Sequence, residues 1–517
     1  VRGGFAFGES KRMVRKYLNY IIFGFVVLVV VGLAVNHSRN MRQLVNDMAN
    51  GSPEAQKAAA AKLITAEQFM DSITGETKET RIKVAGALEA LATPDAVKQG
   101  VTMLKDADRS VGDRVVQVLQ KIGAASPAHI KALVEGLKNG DANIRKGTIV
   151  ALSDSKSGVG PKPGVSAEIV ALMKADGNAR SPGGDVLGSK LFTQDAAARA
   201  ESVQLLIQQM EEKDEAVRGG AAEALGKVGD PAALDRLKTA MKSDTAQLRR
   251  IAIGSIALIA DQRGEDVLTE AITNTDDDNE ARAQAAAGLG KIATPSALDT
   301  LLKTLDDDDL KLRSAAVAAL ARAGRQTADT AANPEVVSRL NAALSDPRET
   351  VRMGAAQAFQ VIGSKEANAA LIAILKGDGS TELKSATARA LGFEGNTEAI
   401  TPLISVIGSD TGVVGEAARD SLARIGSGAT DALTGLLAQG GTQAYAAAQA
   451  LAQQGTAALS ALQKSAQSTN PVTQRWAAVA LGGLGVAEAR PVLEKLGKSS
   501  DPDVAYVAQE QLRSLGH

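Results

Sequence analysis

One pattern recurs along this chain and narrows its fold class more than any other feature. Three segments align without gaps: Val217-Arg218 through Leu225 to Val228, Ala281-Arg282 through Leu289 to Ile292, and Val351-Arg352 through Phe359 to Ile362. With the Arg position as zero, an apolar residue stands at −1, small residues at 3 and 4, and large apolar residues at 7 and 10. The register recurs at Arg81, Gly112, Arg145, Arg218, Arg249, Arg282, Arg313, Arg352, Lys384, Gly415, Ala444, Gln474 and Ala505, and most steps are 29 to 33 residues. A self-similar period of this length is the signature of a repeat array. Positions −1, 3, 7 and 10 share one face at 3.6 residues per turn, so each copy is an amphipathic helix with one buried stripe.

A second amphipathic segment lies between copies. Residues 231–241 begin with Pro231, carry Leu234, Leu237 and Met241 on one side, and follow Gly229. Pro at the first turn and Gly just before it are helix punctuation. Each unit is therefore a helix pair, and the chain is expected to be all-α: a solenoid of about 13 such pairs over residues 52–517. Composition agrees. Aromatics supply only 3% of residues, and six of them (Phe5, Phe7, Tyr17, Tyr20, Phe23, Phe25) precede residue 26. The remainder has too little bulk for a wide core, whereas stacked helix pairs need only a thin one.

The pattern resembles HEAT repeats, in particular the HEAT-like repeats first described in phycobilisome lyases. The resemblance covers most of the chain and identifies an architecture, not a function. It implies that an Asp in the turn within each pair and the Arg of the second helix form a ladder between successive units. The matching positions are Asp141 with Arg145, Asp214 with Arg218, Asp244 with Arg249, Asp278 with Arg282, Asp309 with Arg313, and Asp346 with Arg352. The Arg is replaced at Gly112, Gly415, Ala444, Gln474 and Ala505, so the ladder is expected to be broken in the last four units.

Two departures interrupt the period. The step from Arg145 to Arg218 holds the Gly- and Pro-rich stretches Ser157–Gly164 and Asp176–Gly184, read as a degenerate unit with long loops and an irregular insertion over 155–194. A smaller insertion at 325–334 widens the step to Arg352. Both could serve as docking loops, although insertion drift explains them as well.

Ahead of the repeats, Tyr17 to Val35 reads YLNYIIFGFVVLVVVGLAV, without charge. A helix of that length spans roughly 28 Å, near the ~30 Å hydrocarbon core of a bilayer. Residues 17–36 are therefore expected to form one transmembrane helix between a short N-terminus, 1–16, and a juxtamembrane linker, 37–51. Arg2, Lys11, Arg12, Arg15 and Lys16 precede it, while only Arg39 and Arg42 follow closely. The positive-inside rule then places the N-terminus in the cytoplasm and the repeats in the periplasm or outside the cell. Gly32-Leu33-Ala34 would also suit signal-peptide cleavage, but the apolar run exceeds the 7–15 residues of a signal h-region. An uncleaved anchor is favoured. Val1 in first place suggests an alternative start codon or a chain shortened at that end.

Chemistry finds little foothold. Net charge is −1, so no whole-molecule basic field favours nucleic acid. Cysteine is absent, which removes disulfides and thiolate metal sites. The three histidines, His37, His129 and His517, have no metal-ligand spacing, and no nucleophile-elbow motif is present. Gly183 to Lys190 superficially resembles a phosphate loop, but its Ser189 and Lys190 are in the wrong order and no buried strand precedes it. The acidic clusters Asp276–Asp278 and Asp306–Asp309 fall in turns before register helices, where Asp is favoured as an N-cap rather than as a calcium ligand. No catalytic residue, cofactor or metal is expected.

A protein partner is expected instead. Positions 1, 2 and 5 point away from the buried stripe, and on a HEAT-like solenoid the second helix lines the concave surface. Position 1 is small or polar in Gly219, Ala283, Ser314 and Ser385. In the last three units it becomes Tyr445, Arg475 and Tyr506, with Trp476 at position 2. Tyr, Trp and Arg are enriched at binding hot spots. These four are the candidate protein-binding residues; capping the open end of the solenoid is the competing role.

Overall fold

A computed structural model describes residues 39–64, 69–123, 126–153, 165–242, 245–274, 278–325, 332–407 and 412–515. The apolar segment 17–36 lies outside them. Among the described residues no helix is long and apolar enough to cross a membrane. Two compact units divide the chain, Val1–Ala240 and Met241–His517.

All thirteen register positions fall on helices. In the first unit these are α1 (Lys78–Leu91), α2 (Arg109–Ile122), α3 (Ala142–Ser153) and α4 (Glu215–Val228). The second unit carries α5 (Ala246–Ile259), α6 (Asn279–Ile292), α7 (Leu310–Gly324), α8 (Glu349–Ile362) and α9 (Thr381–Leu391). It continues with α10 (Val413–Ile425), α11 (Gly441–Gln453), α12 (Pro471–Leu484) and α13 (Pro502–Ser514). The period-3.6 stripe is what each buries. On α4, Val217, Ala221, Leu225 and Val228 are at most 5% exposed; on α8, Val351, Ala355 and Phe359 are at most 2% exposed.

Within the second unit the register helices pack on one another more closely than the intervening first helices do. Small residues permit it. A Cβ built on Gly290 of α6 would lie 2.7 Å from the Cβ and 2.8 Å from the Cα of Ala319 on α7. Close packing also changes what position 1 does. Ser385 is 3% exposed and Gly219 is buried, so in those two units the small residue at position 1 sits within the helix layer, whereas Ser314 is exposed. Tyr445 and Tyr506, too large for that space, project with 50% and 65% exposure.

Two stretches differ from the sequence expectation. Residues 39–50, expected as part of a linker, are helical. Met41, Val45, Met48 and Ala49 are buried there at helical spacing, and Asn50 accepts a 2.8 Å hydrogen bond from Lys83 of α1. The Gly- and Pro-rich run 176–184 is largely helical as well. After the helix Val165–Ala175, a short helix Arg180–Leu187 packs against α4. Pro182 sits in its first turn, where a missing N–H costs no intrahelical bond. Gly184 allows an approach to Ala224 of α4 that would leave a Cβ only 3.3 Å away, and Lys227 of α4 pairs with Asp185 at 2.7 Å. Glycines that read as loop in the sequence serve close packing here. Residues 154–164 and 326–331 of the two insertions lie outside the described residues.

Candidate protein-binding surface

The last three register helices bring the candidate residues to one face. The rings of Tyr445 on α11 and Trp476 on α12 meet edge to face, with centroids 6.0 Å apart and planes at 63°. That is a favoured aromatic geometry, contributing ~0.5–1.5 kcal/mol beyond the area buried. The Arg475 guanidinium lies 5.8 Å from the Trp476 ring centroid, within cation–π range. Arg475 also faces Asp503 of α13 at 3.6 Å. Tyr506, on α13, stands exposed one helix further along. Trp476 Nε1 is buried and has no hydrogen-bond partner among the described residues. A buried indole N–H without an acceptor is costly.

A polar chain that sequence inspection did not reveal extends this patch. The Tyr445 hydroxyl accepts from Gln449 Nε2 at 2.7 Å, and Gln449 Oε1 accepts from Arg419 of α10 at 2.9 Å. Arg419 donates to its neighbour Asp420 at 3.0 and 3.1 Å, and Gln453 of α11 reaches the same carboxylate at 3.4 Å. Gln449 and Gln453 lie one turn apart at positions 5 and 9, which is the only trace they leave in the sequence.

The Asp–Arg ladder is built differently from the pairing the resemblance implies. Asp141, Asp214, Asp278 and Asp309 are N-caps: their carboxylates accept from the backbone N–H of Asn143, Ala216, Ala281 and Leu312. The register arginines reach back to their own turn. Arg218 Nη1 donates to the carbonyls of Glu212 and Lys213, both at 2.8 Å. Arg145, Arg313 and Arg352 grip the carbonyls at positions −6 and −5 in the same way. The carboxylate that meets a register Arg across units stands at −6, two residues before the cap. Arg81 pairs with Asp106, and Arg282 with Asp307, each at 2.7 Å. Asp346 occupies that earlier position and is held by Arg348, whose hydrogen bonds lower its pKa to about 2. Asp244 lies outside the described residues; its partner in the expected pairing, Arg249, heads the second unit on α5. In the last units Gln474 keeps the clamp with an amide, donating to Ser468 O at 2.8 Å.

His129 is 8% exposed; its Nδ1 and Nε2 lie 2.6 Å from the Ser126 hydroxyl and 2.8 Å from Ala92 O. Both ring nitrogens are thereby occupied. Among the described residues no group of His, Asp or Glu is arranged to hold a metal. Asp306 serves Arg348 and Thr350 of the following unit.

Comparison with known proteins fits this geometry. A family model described as HEAT repeats matches residues 66–154, 185–257, 239–321, 368–443 and 441–513, more than half of the chain. The chain belongs to the HEAT-repeat family. No curated protein matches it. Among solved structures it is similar to importin beta, at 14% identity and a TM-score of 0.42, over 91% of this chain and 72% of that one. Kap95p with RanGDP aligns at 15% and 0.39, over 92% of this chain and 67% of the other. Kap121p bound to Ste12p aligns at 14% and 0.39, over 92% and 53%. The alignments thus cover from about half to nearly three quarters of the length of these proteins.

Proposed function

We propose that this HEAT-repeat chain is a non-enzymatic scaffold that holds a protein partner on the inner face of its last units and is tethered to a membrane through residues 17–36. The observation that carries the binding role is the aromatic patch. Scarce large side chains are concentrated on α11, α12 and α13, exposed or half-exposed, around an arginine and an indole N–H with no acceptor. Exposed aromatics beside Arg are the composition of an interface hot spot. The tether is supported by the uncharged run Tyr17–Val35, and the basic residues before it favour, by the positive-inside rule, a cytoplasmic N-terminus with the repeats in the periplasm or outside the cell.

Arg475→Ala/Trp476→Ala is the test, read by recovery of partner from mild-detergent extracts and by thermal unfolding. Lost recovery with an unchanged melting profile supports the reading. Lost stability with retained recovery makes the patch an end cap and overturns it.

A further inference from the structure

The polar chain running from Tyr445 does not end at Asp420. Asp420 lines a cleft of about 480 Å³ together with Gln360, Arg389, Ala423, Arg424 and Gln453. The cleft is formed by α8, α9, α10 and α11 within the second unit. Two of its residues are arginines with no carboxylate oxygen within 4.0 Å among the described residues. Arg424 leans on α9, donating to the carbonyl of Arg389 at 3.0 Å and to the Ser421 hydroxyl at 3.2 Å. Two cations are thus held beside one another at the wall of a cleft. The one nearby carboxylate, Asp420, is already engaged by Arg419 and Gln453.

The electrostatics point the same way. Desolvation lowers the Arg424 pKa; Asp420 opposes that, and the charge of Arg389 adds to it. An anion entering the cleft would relieve the repulsion between the guanidiniums and gain charge-assisted hydrogen bonds, each about twice as strong as a neutral one. Gln360 and Gln453 add amide donors at the rim.

We infer that this cleft receives an acidic side chain of the partner protein, and that the inner face from α9 to α12 binds an extended segment carrying Asp or Glu at one end and an apolar or aromatic residue at the other. Continuity supports a single ligand. Hydrogen bonds link the cleft to the Tyr445–Trp476 pair through Asp420, Arg419 and Gln449, without a break between α10 and α11. Neighbouring helices pack ~8–10 Å apart, so two helix steps separate the sites by roughly 16–20 Å. An extended chain rises ~3.3 Å per residue, and about six residues cover that span. The acidic and apolar anchors should therefore stand about six residues apart.

This inference rests on the scaffold reading of the aromatic patch, and one titration tests the two separately. Trp476 is the only Trp in the chain, so its emission reports on the patch alone. The probes are peptides with Phe, a Gly-Ser spacer of about five residues, and then Glu-Glu, Gln-Gln or Lys-Lys, added to the full chain. The Glu-Glu peptide should bind at least about tenfold more tightly than Gln-Gln, as expected for one or two charge-assisted bonds. Arg389→Gln/Arg424→Gln should remove that difference while the Phe-dependent change in Trp476 emission persists. Arg389→Gln alone, at a side chain with no hydrogen bond to lose, should remove part of it without altering the melting profile. Equal binding of all three peptides, a Glu-Glu preference that survives the double substitution, or displacement of the acidic peptide by millimolar inorganic phosphate would overturn the inference. If no peptide alters Trp476 emission, the scaffold reading of this face falls with it.

Discussion

The middle of the second unit and its C-terminal end use one helix-pair plan but place their polar links between helices on opposite sides of it. From α6 to α8 those links lie in the turns. Arg282 is 8% exposed; it bonds Ile272 O at 2.8 Å and Asp307 at 2.7 Å, and Asp306 is engaged by Arg348 and Thr350 of the following unit. From α10 to α13 the register residues are Gly415, Ala444, Gln474 and Ala505, and the links move along the exposed side of the register helices: Arg419 to Gln449, which also holds Tyr445 on its own helix, and Arg475 to Asp503. Buried links fix geometry. Links on an open face hold side chains in place and can be exchanged for those of a partner. Fixed repeats in the middle and an exchangeable surface at the end follow from the residues chosen at a few positions per unit.

The contrast can be broken most severely at Arg282. Arg282→Ala would leave Asp307 half of a broken, largely buried pair, and a loss of about 3 kcal/mol in the local opening free energy of α6 and α7 is expected. Native-state hydrogen exchange over those helices measures it. Gly290→Ala comes next: a methyl 2.7 Å from the Ala319 Cβ and 2.8 Å from its backbone should cost about 1–3 kcal/mol through overpacking, seen as a lowered urea midpoint. Arg475→Ala, removing a pair whose side chains are 34% and 77% exposed, should cost no more than ~1 kcal/mol. Equal losses at Arg282 and Arg475 would erase the distinction between the two regions.

Smaller effects sharpen it. Trp476→Phe removes the buried N–H without an acceptor and keeps the edge-to-face contact, so stability should hold or rise by about 1 kcal/mol while partner recovery is retained. Smallest is Ala293→Gly. Ala293 closes α6 with a left-handed φ of 52°, the position where α4 and α8 have Gly229 and Gly363. Relief of that strain, offset by glycine's greater entropy in the unfolded chain, should raise the melting temperature through a gain of ~0.5 kcal/mol.

The repeat register was legible because it rests on apolar period, which packing must respect; Val217, Ala221 and Leu225 are buried as that period requires. Capping aspartates were legible for a similar local reason. The ladder was only half legible. The resemblance implies a pairing of turn Asp with register Arg, but the backbone carbonyls of the turn lie within reach of the same guanidinium and capture it, and the inter-unit partner is the Asp two residues earlier. Residues 180–187 misled because Pro and Gly are loop signals in sequence, whereas packing against α4 uses the same small residues inside a helix. The Arg389–Arg424 cleft left no local signal, since its residues come from different repeats and meet only when the units stack.

The most direct measurement of the central claim places a photoactivatable cross-linking residue at Tyr445 or at Ser314, the same register position in the middle of the array, in the full chain in cells that express it. A discrete cross-linked protein from position 445 and none from position 314 is the expected result. The same adduct from both positions, or from position 314 alone, would contradict the assignment of binding to the C-terminal end.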